Sequence, residues 1–185
     1  MWTEPEALEA ASSVLITHEH ADHVDVDRLA ATLAGDPTAT VYTTAAVVES
    51  LPDLGDRVAA VTAGDRFRTA GFDVEVVGGR HAETYDGLPD CANVGFLIDG
   101  GALYHPGDAL FVPAATVDTL LVPACAPWLK LAEALDFMRA VRPRRALPIH
   151  DAILTPAGQE LTDRWLGEKG GTDYARIAIG ESVPL

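Results

Sequence analysis

A cluster of histidine and aspartate residues near the start of the chain constrains its fold and chemistry more than any other feature. His18, His20, Asp22 and His23 follow a short apolar, β-branched run and have the spacing H-x-H-x-D-H. Side chains two residues apart on an extended segment point the same way, so His18 and His20 can reach one ion together. If the chain then turns into a helix, Asp22 and His23 project toward a neighbouring position. Zinc and similar metals prefer imidazole and carboxylate ligands, so the spacing predicts a metal site at a strand end.

The spacing differs from the H-E-x-x-H motif of helical zinc proteases, because Asp22 stands where their second histidine would be. The alternative interpretation is a polar loop in which histidines cluster by chance. The chain has six histidines in total, however, and three of them lie in this motif. We therefore favour the metal site.

Strand-like and helical segments alternate along the chain. Apolar, β-branched runs bounded by turn residues predict strands, and apolar residues at helical spacing predict helices. The predicted strands are residues 12–17, 38–43, 57–62, 66–69, 72–77, 93–99, 102–105, 119–123, 145–149 and 174–179. The predicted helices are residues 25–33, 44–51, 129–141 and 156–166. This order predicts an α/β fold, and a hairpin at Gly100 and Gly101 excludes a purely parallel sheet.

The charge balance limits the classes of partner. The chain has 185 residues, with 28 acidic and 13 basic side chains and a net charge of -15. Such a surface repels phosphate backbones and anionic membranes, so we expect a small-molecule substrate and neither nucleic acid nor a membrane as partner. The length suits a single domain over residues 1–185. Two cysteines, no long apolar run and no secretory signal indicate a cytoplasmic location.

With these features the chain resembles the metallo-β-lactamase superfamily, in particular its small bacterial metal-dependent hydrolases related to ascorbate-phosphate lactonase-like proteins. The later ligands of that family have counterparts in the same order. His81 follows an apolar strand, Asp108 follows a strand and the Gly107 turn, and His150 ends another strand. Taken singly, each could instead be a loop or packed strand-end residue. The resemblance implies an αββα sandwich with mixed sheets.

The resemblance also implies a ligand set and an activity. His18, His20 and His81 would hold one divalent metal ion. Asp22, His23 and His150 would hold a second, with Asp108 between the two. Zinc fits these nitrogen and oxygen ligands, as do manganese and iron. The expected activity is hydrolysis of a small-molecule ester, lactone or phosphoester by a metal-bridging hydroxide, with Asp22 as the catalytic residue that orients the water and takes up its proton.

Two other functions remain open within this superfamily. One is a nuclease or phosphodiesterase, which the negative charge disfavours. The other is a non-hydrolytic member, either a metal-binding module or an iron oxidoreductase. Iron members with a flavin usually replace one of these histidines with a carboxylate and carry an extra domain, and neither feature is evident here.

Several residues near the predicted site have two interpretations each. Trp128 forms an apolar wall for substrate or packs in the core, and Lys130 binds an anionic substrate group or is a solvated charge at a helix start. His105 hydrogen-bonds to a ligand or has a structural role at its strand end. Asp151 accepts a hydrogen bond behind the ligands or is a solvated loop acid.

The resemblance implies, finally, that the chain begins late in the fold. Related domains open with strands that precede the strand leading into H-x-H-x-D-H, whereas residues 2–11 indicate a short helix or loop. A start placed too late, a truncation or a naturally shortened family member would each explain this. Missing edge strands would favour pairing with a second copy, so we expect a homo-oligomer, low solubility or reduced stability.

Overall fold

Strands and helices alternate throughout the part of the chain that the computed structural model describes, which is Leu8 and residues 11–52, 54–86, 88 and 91–184. The strands are β1 (Ser13–Leu15), β2 (Thr40–Thr43), β3 (Val58–Ala60), β4 (Arg66–Thr69), β5 (Phe72–Gly78), β6 (Val94–Ile98), β7 (Leu103–His105), β8 (Thr119–Pro123), β9 (Arg145–Ile149) and β10 (Asp173–Tyr174). The helices are α1 (Val26–Gly35), α2 (Ala45–Ser50), α3 (Leu131–Val141) and α4 (Pro156–Lys169).

These strands form one small sheet and one large sheet. The small sheet is parallel, with the order β1-β2-β3, and the large sheet has the order β10-β9-β8-β7-β6-β5-β4. Strands β4 to β7 pair antiparallel, and β7 to β10 pair parallel. The large sheet is therefore mixed, and β5, β7, β8 and β9 all run in one direction. Their carboxyl ends lie along one edge.

Three apolar clusters hold four layers together. The first packs helices α1 and α2 on the small sheet and includes Leu33 and Val41. The second includes Val76 and lies between the two sheets. The third packs α3 and α4 on the large sheet and includes Leu120 and Met138. The layers follow the order helix, sheet, sheet, helix, so the expected αββα sandwich is confirmed.

Local sequence signals account for the starts of two helices. Asp25 precedes α1, and its carboxylate accepts the Arg28 N–H at 3.1 Å. Thr155 caps α4 through the Gly158 N–H, and Pro156 occupies the first helical position. Both arrangements satisfy backbone N–H groups that have no partner within the helix.

The last predicted strand is shorter than expected. Residues 174–179 were expected to form it, but β10 comprises Asp173–Tyr174 only. Just beyond it, the Arg176 guanidinium binds the carboxylates of Asp163 and Asp151, which lie outside the sheet. The segment expected over residues 2–11 falls largely outside the described residues, and the absence of strands before β1 stays a prediction. Among the described helices, none combines the length and the apolar character needed to cross a bilayer.

Candidate metal centre

The seven predicted ligands lie on four loops that meet at one side of the sandwich. The H-x-H-x-D-H segment lies between β1 and α1, and His81 lies just beyond β5. Asp108 follows β7, and His150 follows β9 directly. Because β5, β7 and β9 run in one direction, their loops share an edge, which is where α/β folds commonly place sites.

Burial and hydrogen bonding hold the first histidine of the motif in a fixed orientation. His18 is fully buried, and its Nδ1 atom lies 3.0 Å from the Thr17 hydroxyl oxygen. The Val94 N–H donates to the Thr17 carbonyl at 3.0 Å and ties this segment to the large sheet. The His18 Nε2 atom then lies 3.1 Å from Nδ1 of His20. These two nitrogens face the same point, as the spacing predicts.

A tight turn changes the chain direction after His20. The N–H groups of His23 and Val24 both donate to the His20 carbonyl, at 2.9 and 3.1 Å. The turn brings Asp22 and His23 to the side of the cluster away from His20. There the His23 Nε2 atom lies 3.2 Å from Oδ1 of Asp108.

The loop that carries His81 is attached to the loop that carries Asp108. The Ala82 N–H donates to the Asp108 carbonyl at 2.8 Å, and the His81 N–H donates to the Cys91 carbonyl at 3.1 Å. The His81 Nδ1 atom lies 2.5 Å from the Ala82 carbonyl oxygen, which leaves Nε2 directed inward. That Nε2 atom lies 3.4 Å from Oδ2 of Asp108.

Asp108 occupies the centre of the cluster. Its side chain is almost fully buried, and its backbone N–H donates to Oδ1 of Asn93 at 2.9 Å. Burial acts to raise the pKa of this carboxyl, but the contacts from His150, His23 and His81 outweigh it and hold the pKa well below its usual range. Asp108 is therefore a charged carboxylate among imidazoles, which suits a group that lies between two cations.

His150 has a backbone conformation that side chains rarely adopt. Its φ is 58°, in the left-handed region. Nδ1 lies 2.7 Å from the Cys125 carbonyl oxygen, and Nε2 lies 3.2 Å from Oδ2 of Asp108 and 3.3 Å from Oδ2 of Asp22. The contact with Asp108 raises the pKa of His150 to about 9. A strained conformation kept at a site of this kind is typical of functional residues.

Three histidine nitrogens that face Asp108 lack hydrogen-bond partners. The Nε2 atoms of His23, His81 and His150 are buried without a hydrogen bond, although carboxylate oxygens lie 3.2 to 3.4 Å away. Nδ1 of His81 and of His150 instead contacts a backbone carbonyl, as metal-bound histidines usually do. Buried nitrogens without partners are costly unless an ion binds them, so the residues fit a metal centre.

The ligating atoms also fall into sets of the size that a metal needs. Among the residues that the structure describes, three groups have all their ligating atoms within 4.8 Å of one another. These groups are His18, His20 and His81, then Asp22, His23 and His150, then His18, His23 and Asp108. The first two match the two predicted ligand sets, and the third joins them through Asp108. Burial and the nearby His23 lower the pKa of His18 to about 3, so its ring is in the neutral form that binds metal.

Among the cavities that border the cluster, the two larger ones lie beside predicted histidine ligands. One, of about 400 Å³, is lined by His20 and by residues of the loop after β5, which include Arg80 and His81. The other, of about 310 Å³, is lined by His150, Ile153 and further residues on the opposite side. A small molecule can therefore reach the cluster from two directions.

The residues with two interpretations differ in how closely they approach the cluster. The Trp128 indole contacts the site directly, because its Nε1–H donates to Oδ2 of Asp108 at 2.9 Å. Lys130 lies exposed at the start of α3, where its backbone N–H donates to Glu133 at 2.7 Å. It lines neither of the two cavities, so its role in substrate binding stays a prediction. His105 accepts the Gly107 N–H at 3.0 Å, and burial lowers its pKa to about 4. Asp151 is not a solvated acid, because it pairs with Arg176.

Sequence reasoning missed Asn93 and Arg80. Asn93 is fully buried and links the Pro106 carbonyl to the Asp108 N–H through its side-chain amide. A lone asparagine at a predicted strand start gives no signal of such a bridge. Arg80 directly precedes the predicted ligand His81. That position could have indicated that its cationic side chain lies beside the site.

Comparison with known proteins identifies the family. The model of the β-lactamase superfamily domain matches residues 3–150, which is most of the chain. The chain belongs to this superfamily. Protein Rv0786c of Mycobacterium tuberculosis is 42% identical over 173 residues, which cover 91% of this chain and 80% of that protein. The resemblance expected from the H-x-H-x-D-H segment and the later ligands is therefore confirmed.

Two more distant similarities agree with the superfamily. The UPF0173 metal-dependent hydrolase Ta0764 of Thermoplasma acidophilum is 25% identical over 146 residues, which cover 74% of this chain and 64% of that protein. The structure of Igni18, a metallo hydrolase from the archaeon Ignicoccus hospitalis, has a TM-score of 0.70 and 20% identity, and the match covers 92% of this chain and 78% of Igni18. The second similarity shows the shared fold. The name of Ta0764 describes that protein as a metal-dependent hydrolase.

Proposed function

We propose that this protein is a dinuclear metal-dependent hydrolase of a small-molecule ester, lactone or phosphoester. The observation that carries the proposal is the convergence of buried histidine nitrogens without hydrogen-bond partners around the Asp108 carboxylate. Such an arrangement is unfavourable by itself and becomes favourable when cations bind between the rings and the carboxylates.

The ligand sets divide the cluster into two positions. His18, His20 and His81 would hold one ion. Asp22, His23 and His150 would hold the other, with Asp108 between them. Zinc is the first candidate because all the ligands are imidazole or carboxylate, and manganese or iron would also be accommodated.

Two divalent ions held by these residues would lower the pKa of a bound water to roughly 7 and would polarise the carbonyl or phosphoryl oxygen of a substrate. The protein contributes the orientation of the reacting groups. The Asp22 side chain is 30% exposed, so its carboxylate, unlike that of Asp108, is open to solvent. We assign Asp22 the role of orienting the attacking water and accepting its proton.

The substrate would enter through the two cavities. Arg80 lines the cavity beside His20 and His81 and would attract an anionic group of the substrate. Trp128 would form an apolar wall, and Lys130 at the start of α3 would add a second cation. The net charge of -15 favours a small molecule over nucleic acid, which disfavours the nuclease alternative.

We also propose a cytoplasmic location and a homo-oligomeric state. Neither Cys91 nor Cys125 forms a disulfide bond within the described structure, which agrees with a reducing compartment. Size-exclusion chromatography with light scattering tests the oligomer directly.

A substrate screen tests the proposed function. Metal-replete protein should hydrolyse at least one compound from a panel of lactones, carboxylic esters, thioesters and phosphodiesters, and chelation should abolish that activity. Short RNA and DNA included in the panel test the nuclease alternative. Activity that survives complete removal of metal would contradict the proposal.

A further inference from the structure

The Trp128 indole makes a hydrogen bond at the centre of the cluster. Its Nε1–H donates to Oδ2 of Asp108 at 2.9 Å. The indole ring lies between two predicted ligands, with ring centroids 6.0 Å from His81 and 6.3 Å from His150. A tryptophan that served only as an apolar wall would not need to direct its N–H toward a buried carboxylate.

The loop that carries Trp128 is itself tied to the His150 loop. The Ala124 N–H donates to the Ile149 carbonyl at 2.9 Å, and the Cys125 carbonyl lies 2.7 Å from Nδ1 of His150. The indole therefore approaches Asp108 from a backbone segment that also orients one of the ligands. These backbone contacts hold the indole beside the cluster in addition to its own hydrogen bond with Asp108.

The backbone contact of Asp108 leaves its side chain able to rotate, and the bond from the indole restricts that rotation. Asn93 fixes the backbone of Asp108, but the carboxylate can still rotate about its terminal torsion. Among the described groups, the indole N–H is the one donor that meets hydrogen-bond geometry with this carboxylate, since the Nε2 atoms around it do not. The bond directs Oδ2 toward His81 and His150 and leaves Oδ1 beside His23 at 3.2 Å.

We propose that Trp128 is a positioning residue whose indole N–H holds the Asp108 carboxylate with Oδ2 beside His81 and His150, one residue from each predicted ligand set. This inference rests on the proposed dinuclear site. The role acts on metal affinity through Asp108, and it is additional to any contact that the ring makes with substrate. Hydrogen bonds of this kind orient metal ligands, and their removal typically costs about 10- to 100-fold in metal affinity.

The variant Trp128→Phe separates the N–H from the packing, because phenylalanine retains an aromatic ring but cannot donate a hydrogen bond. The control is Trp165→Phe, since Trp165 lies exposed on α4. Chelator competition measures the two zinc dissociation constants of each purified protein. We expect Trp128→Phe to weaken binding by at least about 10-fold and Trp165→Phe to match the wild type.

A measurement on the wild-type protein covers the case in which Trp128→Phe does not fold. Indole nitrogens labelled with ¹⁵N give one NMR signal per tryptophan, and zinc titration should shift the signal of Trp128 while that of Trp165 stays fixed. The inference is wrong, and the proposed function is unaffected, if wild type and Trp128→Phe bind zinc with equal affinity. The same holds if the Trp128 signal does not shift when zinc binds. Failure of the wild type to bind zinc would overturn the proposed function as well.

Discussion

Gly107 lies so close to Asn93 that a Cβ atom at position 107 would be 2.2 Å from Oδ1 of the Asn93 side chain. The same oxygen accepts the N–H of Asp108. Gly107 also has a φ of 64°, in the left-handed region. Steric space and backbone conformation therefore both require glycine at the residue before the central carboxylate.

The substitution Gly107→Ala should destabilise the protein and weaken metal binding. The added methyl group must displace Asn93, and alanine is strained at this φ, so we expect a loss on the order of 2 to 4 kcal/mol in the free energy of unfolding. Gly100→Ala is the matched control, because Gly100 has a φ of 66° with no atom within 4 Å of an added Cβ. Denaturant unfolding measures both variants. Equal losses in the two would show that the contact with Asn93 is unimportant.

The substitution Asp22→Asn should lower kcat far more than it raises KM. The amide cannot accept a proton from the attacking water, and loss of general-base catalysis typically costs about 10²- to 10⁴-fold in rate. Asp27→Asn, at an exposed position in the first turn of α1, is the control and should retain activity. The comparison requires metal-replete proteins and a substrate from the screen. An unchanged kcat in metal-replete Asp22→Asn would refute the assigned role.

The substitution Arg176→Ala should loosen the segment after β9. The Arg176 guanidinium binds Asp163 in α4, at 2.7 and 2.8 Å, and also Asp151, which follows the ligand His150. We expect a loss of about 1 kcal/mol in the free energy of unfolding at neutral pH. Arg164→Ala, on the exposed side of the same helix, should have little effect. Thermal unfolding of both variants against wild type makes the comparison.

The effect of Arg176→Ala should also depend on pH. Burial acts to raise the pKa of Asp163, but its bonds with Arg176 and Tyr174 outweigh burial and lower the pKa. The stabilisation is therefore present above the pKa of an unfolded aspartate, near 4, and is lost as the pH falls through the lowered folded value. The difference in melting temperature between wild type and Arg176→Ala should shrink in acid. A difference independent of pH would contradict this account.

The substitution Arg80→Ala should raise KM for an anionic substrate with a smaller effect on kcat. Arg80 lines the cavity beside His20 and His81, and a lost bond to a charged group costs about 1.5 to 3 kcal/mol, or roughly 10- to 100-fold. Arg66→Ala, which removes the exposed ion pair with Glu75, is the control. Equal KM values for wild type and Arg80→Ala would show that Arg80 does not bind the anionic group of the substrate.

Much of the fold could be predicted because strand and turn signals are local. The bounds of β4, β8 and β9 coincide with prediction, since each is an apolar or alternating run between turn residues. The early end of the final strand at Tyr174 could not be predicted. Arg176, which follows it, binds acidic groups that are distant in sequence. Where an element ends thus depends on tertiary contacts that its own residues do not reveal.

The candidate site shows the same division. The spacing from His18 to His23 predicts which side chains can share an ion, because that relationship is local. The bridge from Asn93 to Asp108 and the bond from Trp128 to Asp108 join residues 15 and 20 positions apart in the chain. Neither pairing has a sequence pattern. Both depend on loops that meet only when the large sheet has formed.

The metal content of the purified protein tests the central claim most directly. Elemental analysis by mass spectrometry should find up to two transition-metal ions per wild-type chain, bound by the two ligand sets that meet at Asp108. The double variant His18→Ala/His20→Ala removes two of the three ligands from one set and leaves Asp22, His23 and His150 in place. It should lose the ion at the first position and all hydrolase activity while remaining folded by circular dichroism. Wild-type metal content in that double variant would contradict the account.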